Sequence, residues 1–174
     1  MTIRKILTEP DPFLRQKSKK VEHVDDQTRS LMDDMLDTMY DAPGIGLAAI
    51  QIGIPKRIIV IDLSKDGETK TPLYFINPEI ISNSNNDSAY EEGCLSVPGQ
   101  FAEINRPDKC HVKFLDYNGK EQSLKAEGLL ATCIQHEIDH LEGILFIDYL
   151  SKLKKSMIIK KLSKQKKSLE RIVV

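Results

Sequence analysis

Tryptophan, long apolar runs and low-complexity segments are all absent from this 174-residue chain. No apolar run approaches the ~20 residues of a membrane span, and residues 1–20 lack a stretch long enough for a signal-peptide core. We therefore expect no membrane partner and a cytoplasmic location. With 40% hydrophobic and 29% charged residues, the composition is typical of a soluble globular protein, and we predict a single domain over residues 1–174.

Cysteine is also scarce, because the chain contains only Cys94, Cys110 and Cys133. An odd number of cysteines in a chain of this size argues against a disulfide framework and favours reduced thiols. Cys110 opens a segment that alternates between apolar and polar residues, so we interpret it as a core residue. The other two thiols stay available for a functional site.

Charge is distributed unevenly along the chain. Residues 151–174 contain nine basic residues and one acidic residue, although the whole chain has a net charge of -1. Apolar residues recur there at helical intervals, which predicts a basic amphipathic C-terminal helix. Such a helix can contact phosphates without reading sequence, so ribosomal RNA is one candidate partner. A solvated helix that covers the body of the protein is the alternative.

The hydrophobic pattern predicts an α+β fold. Asp25 and Asp26 offer an N-cap for a helix over about 26–41, and a nearly continuous apolar pattern predicts a buried helix over about 128–141. Short β-rich runs lie between these helices, and Asn118-Gly119 predicts a type I′ hairpin turn. We therefore expect mainly antiparallel strands around a central helix, with helices at both ends. The predicted strands are 57–62, 73–77, 111–117 and 121–126.

The central predicted helix carries the segment 136–140, with the sequence HEIDH. Histidines four residues apart share one helix face, so His136 and His140 can bind one divalent metal while Glu137 lies beside it. In such a site the carboxylate transfers protons during hydrolysis. The alternative is that the two histidines are ordinary surface or core residues that bind no metal. The pattern on its own therefore favours a metal-dependent hydrolase, and general metallopeptidases use the same pattern.

A catalytic metal site needs a third protein ligand and an open position for water. No histidine or cysteine follows His140, so the ligand must come from upstream. Cys133 lies about 10 Å along the helix from His140, which is too far for ligands of one ion. We choose Cys94, because Gly93 permits a close backbone approach and Pro98-Gly99 is expected to turn the chain just afterwards.

The segment 44–51, GIGLAAIQ, contains two glycines but lacks the third glycine and the preceding strand of a dinucleotide-binding loop. We predict instead that Gly44, Ile45 and Gly46 form a strand edge that lies against an extended peptide. Gln51 is expected to point its amide at the reacting carbonyl.

Three segments together resemble the peptide deformylase family: 44–51 (GIGLAAIQ), 92–96 (EGCLS) and 135–140 (QHEIDH). The resemblance spans nearly the whole chain. It implies removal of the formyl group from the N-terminal N-formyl-methionine of newly synthesised polypeptides, with release of formate. It also implies one divalent metal per chain, usually Fe²⁺ in the cell, with Zn²⁺, Ni²⁺ or Co²⁺ as substitutes. We expect the protein to act as a monomer.

The resemblance also assigns roles to residues. It implies that Cys94, His136 and His140 are the metal ligands and that Glu137 is the catalytic acid and base. Stabilisation of the oxyanion by Gln51 and the Leu95 backbone N–H is implied as well, and so is pairing of Gly46 with the substrate backbone. The methionine pocket is implied to include Ile45, Leu129 and Cys133. These assignments are expectations for the structure to examine.

Two further expectations follow from the family pattern. Glu92 and Arg106 are implied to form a buried ion pair behind the cysteine segment, with two ordinary surface charges as the alternative. Phe101 stands where some bacterial relatives have an arginine at the rim of the pocket, so preferences beyond methionine stay open. The competing functional hypotheses are a general metallopeptidase and a ribosome-binding protein without catalysis. The complete set of Cys94, Glu137 and Gln51 argues against the latter.

Overall fold

The computed structural model describes residues 2–172. Its helices and strands follow the order α1 (Asp26–Asp41), β1 (Gly46–Ala48), β2 (Ile58–Ile61), β3 (Leu73–Asn83), β4 (Asp87–Cys94), β5 (Val97–Pro107), β6 (Lys109–Leu115), β7 (Glu121–Glu127), α2 (Gly128–Leu141) and α3 (Lys152–Ile172). Short 3₁₀ helices cover Pro12–Arg15, Ala49–Ile52 and Phe146–Tyr149.

Helix α1 begins where the sequence predicts it. The Asp25 carboxylate accepts a hydrogen bond from the Thr28 N–H at 2.8 Å, which satisfies one of the free N–H groups of the first turn. Met32, Met35 and Met39 recur at helical spacing and are fully buried. They pack into a cluster on one face of the main sheet. The predicted boundaries and N-cap of this helix are confirmed.

The main sheet has five antiparallel strands in the order β1-β2-β3-β6-β7. Strand β2 explains why both faces of the sheet are covered, because successive side chains point to opposite faces. Ile58 and Val60 join the cluster beneath α1, whereas Ile59 and Ile61 join the cluster beneath α2. The sheet is therefore the middle layer between two helices.

Helix α2 spans Gly128–Leu141, as the sequence predicts. It contacts six of the seven strands, and its Ile134 and Leu141 are fully buried in the cluster shared with the sheet. An apolar helix with buried residues on several faces is typical of an element that lies inside a small fold. The predicted α+β class, with mainly antiparallel strands around a central helix, is confirmed.

Strands β4 and β5 form a separate two-stranded sheet, which the sequence pattern did not predict. The prediction that Pro98-Gly99 turns the chain is wrong. The turn lies at Leu95 and Ser96, and Pro98 and Gly99 are part of β5. The pairing shifts from Cys94 with Val97 to Gly93 with Phe101. Residues 98–100 therefore form a bulge, where a proline without an N–H is tolerated.

The predicted hairpin between β6 and β7 is present, but its turn is not type I′. A type I′ turn needs positive φ at both central residues, and among the described residues of this loop only Gly119 has it, at 78°. The Gly119 N–H donates to the Asp116 carbonyl at 2.9 Å. The Asp116 carboxylate accepts from the N–H groups of Asn118 and Lys120. These side-chain bonds stabilise a five-residue loop in place of the tighter turn.

The C-terminal segment is helical, as predicted. Ile158, Ile159 and Leu162 of α3 pack against a third apolar cluster, whereas Leu153, Met157 and Leu169 are exposed, so the predicted apolar stripe is only partly covered. The prediction extends to residue 174, and residues 173–174 lie outside the described part of the chain. No helix within residues 2–172 combines the length and apolar character that crossing a bilayer requires.

Candidate metal centre

Helix α2 and the end of β4 bring three metal-ligating side chains together. Cys94, His136 and His140 each offer a ligand atom, and these atoms lie within 4.8 Å of one another. The two imidazole rings stand edge to face with centroids 5.0 Å apart, as the spacing of four residues on a helix predicts. The Cys94 Sγ lies 3.3 Å from His140 Nε2.

Cys94 is oriented by the turn between β4 and β5. Its sulfur accepts hydrogen bonds from the Ser96 N–H at 3.4 Å and from the Gln51 side-chain amide at 3.5 Å. These two contacts fix the direction in which the sulfur points, and cysteine binds metals through this atom. Cys110 lies in the core, as predicted, and all three cysteines are unpaired.

His136 is held by a carboxylate on its far side. Its Nδ1 lies 2.8 Å from Glu92 Oε2, so Nε2 is left for a ligand on the other side of the ring. Histidine ligands of metals usually make such an outer contact, which fixes the tautomer and the orientation of the ring. His140 has no hydrogen-bond partner at Nδ1 among the described residues.

The pKa values of the two histidines are shifted in opposite directions. Burial lowers the pKa of His140 well below its ordinary value, and the neighbouring His136 lowers it further, so this ring is neutral. At His136 burial also acts to lower the pKa, but hydrogen bonds with Cys94 and Glu92 outweigh it and raise the pKa well above the ordinary value. The surroundings of His136 therefore favour a positive charge. The chemistry of the ligand set itself, one cysteine sulfur and two imidazoles, fits a divalent transition-metal ion.

Glu137 lies between these ligands and the edge of the main sheet. Its side chain is buried, and its Oε2 has no hydrogen-bond partner among the described residues. Burial raises the pKa of Glu137 to about 7, which suits a group that takes up and returns a proton near neutral pH. A Cβ atom at Gly46 would lie only 2.4 Å from Glu137 Oε1. The glycine therefore permits the close approach of this carboxylate to β1.

Gln51 is fully buried in the 3₁₀ helix that follows β1. Its Oε1 accepts from the Ala48 N–H at 2.9 Å, and its Nε2 donates to Ser96 Oγ at 3.0 Å. These contacts fix the amide beside Cys94. Ser96 is fully buried, and its role in this contact was not predicted, because the residue pair is 45 positions apart in sequence.

A cleft of about 460 Å³ opens beside the three ligands. The predicted site residues other than His140 all line it, and they are Gly44, Ile45, Gly46, Gln51, Cys94, Leu95, Leu129, Cys133, His136 and Glu137. His140 is buried and lies outside the lining. The opposite wall includes residues 97–101 of β5, most of which were missed because this strand was not predicted.

The walls of the cleft are largely apolar. Ile45, Leu129 and Phe101 are 46%, 43% and 65% exposed. Large apolar side chains that are exposed together around one opening are typical of a ligand-binding cleft. Cys133 is buried, and burial, followed by the charge of Glu137, raises the pKa of its thiol to about 12. The thiol is therefore neutral and contributes to the apolar wall. An apolar side chain fits this part of the cleft.

Glu92 and Arg106 form the buried ion pair that the family resemblance implied. Arg106 Nε donates to Glu92 Oε1 at 2.5 Å, and the second contact, from Nη2 to Oε2, measures 3.0 Å. Arg106 also donates to Asp139 at 2.8 Å and stacks beneath the ring of Tyr149. The last two residues were not predicted to take part, because only the folded chain brings them together.

The chain is similar to known proteins over nearly its whole length. The family model described as polypeptide deformylase matches residues 3–156. A peptide deformylase of Pelagibacter ubique is 70% identical over 174 residues, which cover 100% of this chain and 100% of that protein. A crystal structure of peptide deformylase from Ehrlichia chaffeensis has a TM-score of 0.91 at 44% identity, covering 96% of this chain and 98% of that chain. A complex of it with actinonin has a TM-score of 0.90 at 46% identity, with coverage of 95% and 98%.

Proposed function

This chain belongs to the peptide deformylase family, and we propose that Cys94, His136 and His140 hold the metal on which its reaction depends. It is a metal-dependent hydrolase that deformylates newly synthesised polypeptides. The family match favours this reaction over the general metallopeptidase that the HEIDH segment alone left open. The convergence of the three ligand atoms within 4.8 Å, beside the buried Glu137, is the observation that carries the proposal.

We propose Fe²⁺ as the metal in the cell, with Zn²⁺, Ni²⁺ or Co²⁺ as substitutes. A ligand set of one thiolate and two imidazoles accepts each of these ions, and three protein ligands leave one position for water or substrate. When bound, such a metal supplies Lewis acidity, which polarises a carbonyl group and lowers the pKa of water. The contact between His136 and Glu92 orients one ligand for this purpose.

Glu137 moves the protons in this proposal. Its carboxylate accepts a proton from the attacking water as the formyl carbon is attacked. It then gives that proton to the nitrogen of the leaving amine as the C–N bond breaks. The products are formate and a polypeptide with a free amino group. A pKa of about 7 leaves both protonation states accessible at neutral pH, which both proton transfers require.

Negative charge develops on the formyl oxygen in the transition state, and we propose that two donors stabilise it. The Gln51 amide is held by Ala48 and Ser96, and its second N–H, which makes the long 3.5 Å contact with Cys94 Sγ, is the donor that we assign to the oxyanion. Leu95 lies in the turn between β4 and β5 and lines the same cleft, and we assign its backbone N–H as the second donor. Preorganised donors of this kind contribute ~3–4 kcal/mol each to transition-state stabilisation.

We propose that the polypeptide binds as an extended strand along the edge of the sheet. β1 lies at the edge of the sheet, next to β2, and Gly44 and Ile45 directly precede its first residue, Gly46. This segment can therefore pair with a substrate backbone. The N-formyl-methionine side chain then enters the apolar pocket of Ile45, Leu129 and Cys133. A neutral Cys133 thiol suits contact with a thioether.

The metal assignment is tested by metal analysis of anaerobically purified protein. We expect about one Fe²⁺ per chain for the wild type and strongly reduced metal in Cys94→Ser and His140→Ala, because two remaining ligands hold an ion weakly. Cys110→Ser is the matched control, since this thiol is buried in the core and does not line the cleft. Full metal content in Cys94→Ser would remove Cys94 from the ligand set.

We further propose that α3 associates with the ribosome. Its lysines are exposed, apart from the half-buried Lys155, which pairs with Asp148. A helix with such a charge excess can contact RNA phosphates with strong salt dependence. Replacing Lys160, Lys161 and Lys164 by glutamine should weaken co-sedimentation with ribosomes at low salt while small-peptide turnover stays unchanged. Equal sedimentation of this variant and the wild type would contradict the proposal.

We also propose that the protein acts as a monomer in the cytoplasm. Newly synthesised polypeptides are its substrates, and its three thiols are unpaired, as in a reducing compartment. All proposed catalytic groups come from one chain, so the site needs no second copy. A sedimentation-velocity measurement that gives the mass of one chain would support the monomer.

A further inference from the structure

A line of buried polar contacts leads from the metal centre to the protein surface. His136 contacts Glu92, and Glu92 receives two hydrogen bonds from Arg106. The side chains of these three residues are 10%, 5% and 4% exposed. The orientation of His136 therefore depends on the position of Glu92, and the position of Glu92 depends on the Arg106 guanidinium.

Two residues outside the cleft hold the other side of Arg106. Its Nη1 donates to Asp139 Oδ2 at 2.8 Å, and the Tyr149 hydroxyl donates to the same oxygen at 2.7 Å. The Tyr149 ring lies over the guanidinium, with 4.9 Å between its centroid and Cζ. Arg106 is thus fixed along two edges by carboxylates and on one face by an aromatic ring.

The energetics of burial make this arrangement sensitive to the loss of one partner. A buried guanidinium whose N–H group lacks an acceptor carries a large desolvation penalty. Without the Asp139 carboxylate, Nη1 keeps only a long contact of 3.5 Å with the Tyr149 hydroxyl oxygen among the described residues, so Arg106 reduces the penalty by moving toward a closer acceptor or toward water. Such a movement would pull Glu92 away from His136.

We propose that Asp139 and Tyr149 are positioning residues of the metal centre, which hold Arg106 so that Glu92 keeps the His136 ring in place. The proposal rests on the metal site proposed above. It is specific because Asp139 lies on α2 three residues after His136, whereas Tyr149 belongs to the 3₁₀ helix before α3. The competing explanation is that both residues only attach the C-terminal segment to the body.

Co²⁺ provides the probe, because its visible absorption reports the ligands and their geometry. The full chain and its variants Asp139→Ala, Asp139→Asn and Tyr149→Phe are loaded with Co²⁺, and the loss of Co²⁺ to an excess of chelator is followed. We expect Asp139→Ala to shift the absorption and to lose Co²⁺ about tenfold faster, at the low end of the effect of losing an outer contact. Asp139→Asn keeps an acceptor and should retain Co²⁺ better.

Asp148→Asn is the matched control. Asp148 precedes Tyr149 in the same 3₁₀ helix and pairs with Arg15 and Lys155 at 2.5 Å each. Among residues 2–172, no hydrogen bond joins Asp148 to Arg106. Asp148→Asn therefore measures the effect of weakening the ion pairs of the C-terminal segment without changing the contacts of Arg106. We expect its Co²⁺ spectrum and rate of Co²⁺ loss to match those of the wild type.

Kinetics and a double variant separate positioning from anchoring. Neither Asp139 nor Tyr149 lines the cleft, so their substitution should lower kcat and leave the KM for a formyl peptide unchanged. In a Glu92→Gln background, Asp139→Ala should add little, because residues that act through one contact are not additive. Should Asp139→Ala disturb folding, Asp139→Asn and Tyr149→Phe provide the same comparison.

The outcomes are distinct. Wild-type Co²⁺ spectra and rates in both Asp139→Ala and Tyr149→Phe would overturn the proposal, and so would equally fast loss of Co²⁺ from Asp148→Asn. Absence of thiolate absorption from Co²⁺ in the wild type would instead overturn the proposed metal ligands. Altered spectra in the Asp139 and Tyr149 variants with an unaltered control would support positioning.

Discussion

Gly46→Ala places one methyl group between β1 and the proposed proton-transfer group. The new Cβ would lie 2.4 Å from Oε1, 3.0 Å from Cδ and 3.1 Å from Cγ of Glu137. Ordinary contact for such atom pairs begins near ~3.4 Å, so the carboxylate must shift by about 1 Å. Displacements of this size at a reacting group cost on the order of 10²-fold in rate. We therefore expect kcat to fall about 100-fold.

The backbone of Gly46 is not the source of this effect. Its φ lies outside the positive region that favours glycine, since Gly46 is not among the described glycines with positive φ. Alanine can therefore adopt this conformation, and thermal unfolding should change little. Formate release from formyl-Met-Ala-Ser is the assay, with thermal unfolding and metal content measured on the same samples.

A double variant tests whether the methyl group acts through Glu137. In a Glu137→Gln background the proton-transfer group is already lost, so adding Gly46→Ala should lower the residual rate little further. Turnover of Gly46→Ala within about threefold of the wild type would refute the reasoning that Gly46 exists to admit the carboxylate. Additive losses in the double variant would also refute it.

Three further predictions concern other parts of the molecule. Gln51→Ala should lower kcat by ~10²–10³-fold with little change in KM, measured by formate release, because it removes one oxyanion donor. Phe101→Arg should raise kcat/KM for a formyl peptide with an acidic third residue by about 1.4- to fivefold, since an exposed ion pair contributes ~0.2–1 kcal/mol. Formyl-Met-Ala-Ser serves as the control. Burial acts to raise the pKa of Asp34, but hydrogen bonds from Arg4 and the Thr2 N–H outweigh it and lower the pKa. This carboxylate therefore stabilises the fold above its unfolded pKa and loses that contribution as the pH falls. Asp34→Asn should lower the unfolding temperature at about pH 7, and the difference in unfolding temperature between this variant and the wild type should become smaller toward about pH 3.

The elements that the sequence predicted are those with strong local signals. The Asp25 N-cap, the buried methionines of α1 and the apolar pattern of α2 each act within a few residues, so they are visible without a structure. Strands β4 and β5 lack this signal. Their sequence includes Asp87, Glu91 and Glu92, which are depleted in strands, and the bulge at Pro98 resembles a turn.

The site shows the same division. His136, Glu137 and His140 are predictable because one helix carries all three. Cys94 could be predicted as a ligand only because no histidine or cysteine follows His140 and because Gly93 stands next to it. Asp139 and Tyr149 were missed as partners of Arg106, because contacts over 33 and 43 residues of sequence depend on the tertiary fold.

Asn118-Gly119 shows a local signal that competing contacts override. The dipeptide favours a two-residue type I′ turn, but the Asp116 carboxylate accepts hydrogen bonds from Asn118 and Lys120 and supports a longer loop. A side chain just outside the dipeptide therefore decides the turn type.

The central claim is that a metal held by Cys94, His136 and His140 deformylates polypeptides with Glu137 as the proton-transfer group. Formate release from formyl-Met-Ala-Ser, measured anaerobically on Fe²⁺-loaded wild type and Glu137→Gln, tests it most directly. The two side chains have nearly the same shape, so metal content should match while the rate falls by ~10²–10⁴-fold, the usual contribution of a general acid and base. Undiminished formate release by metal-loaded Glu137→Gln would contradict the claim.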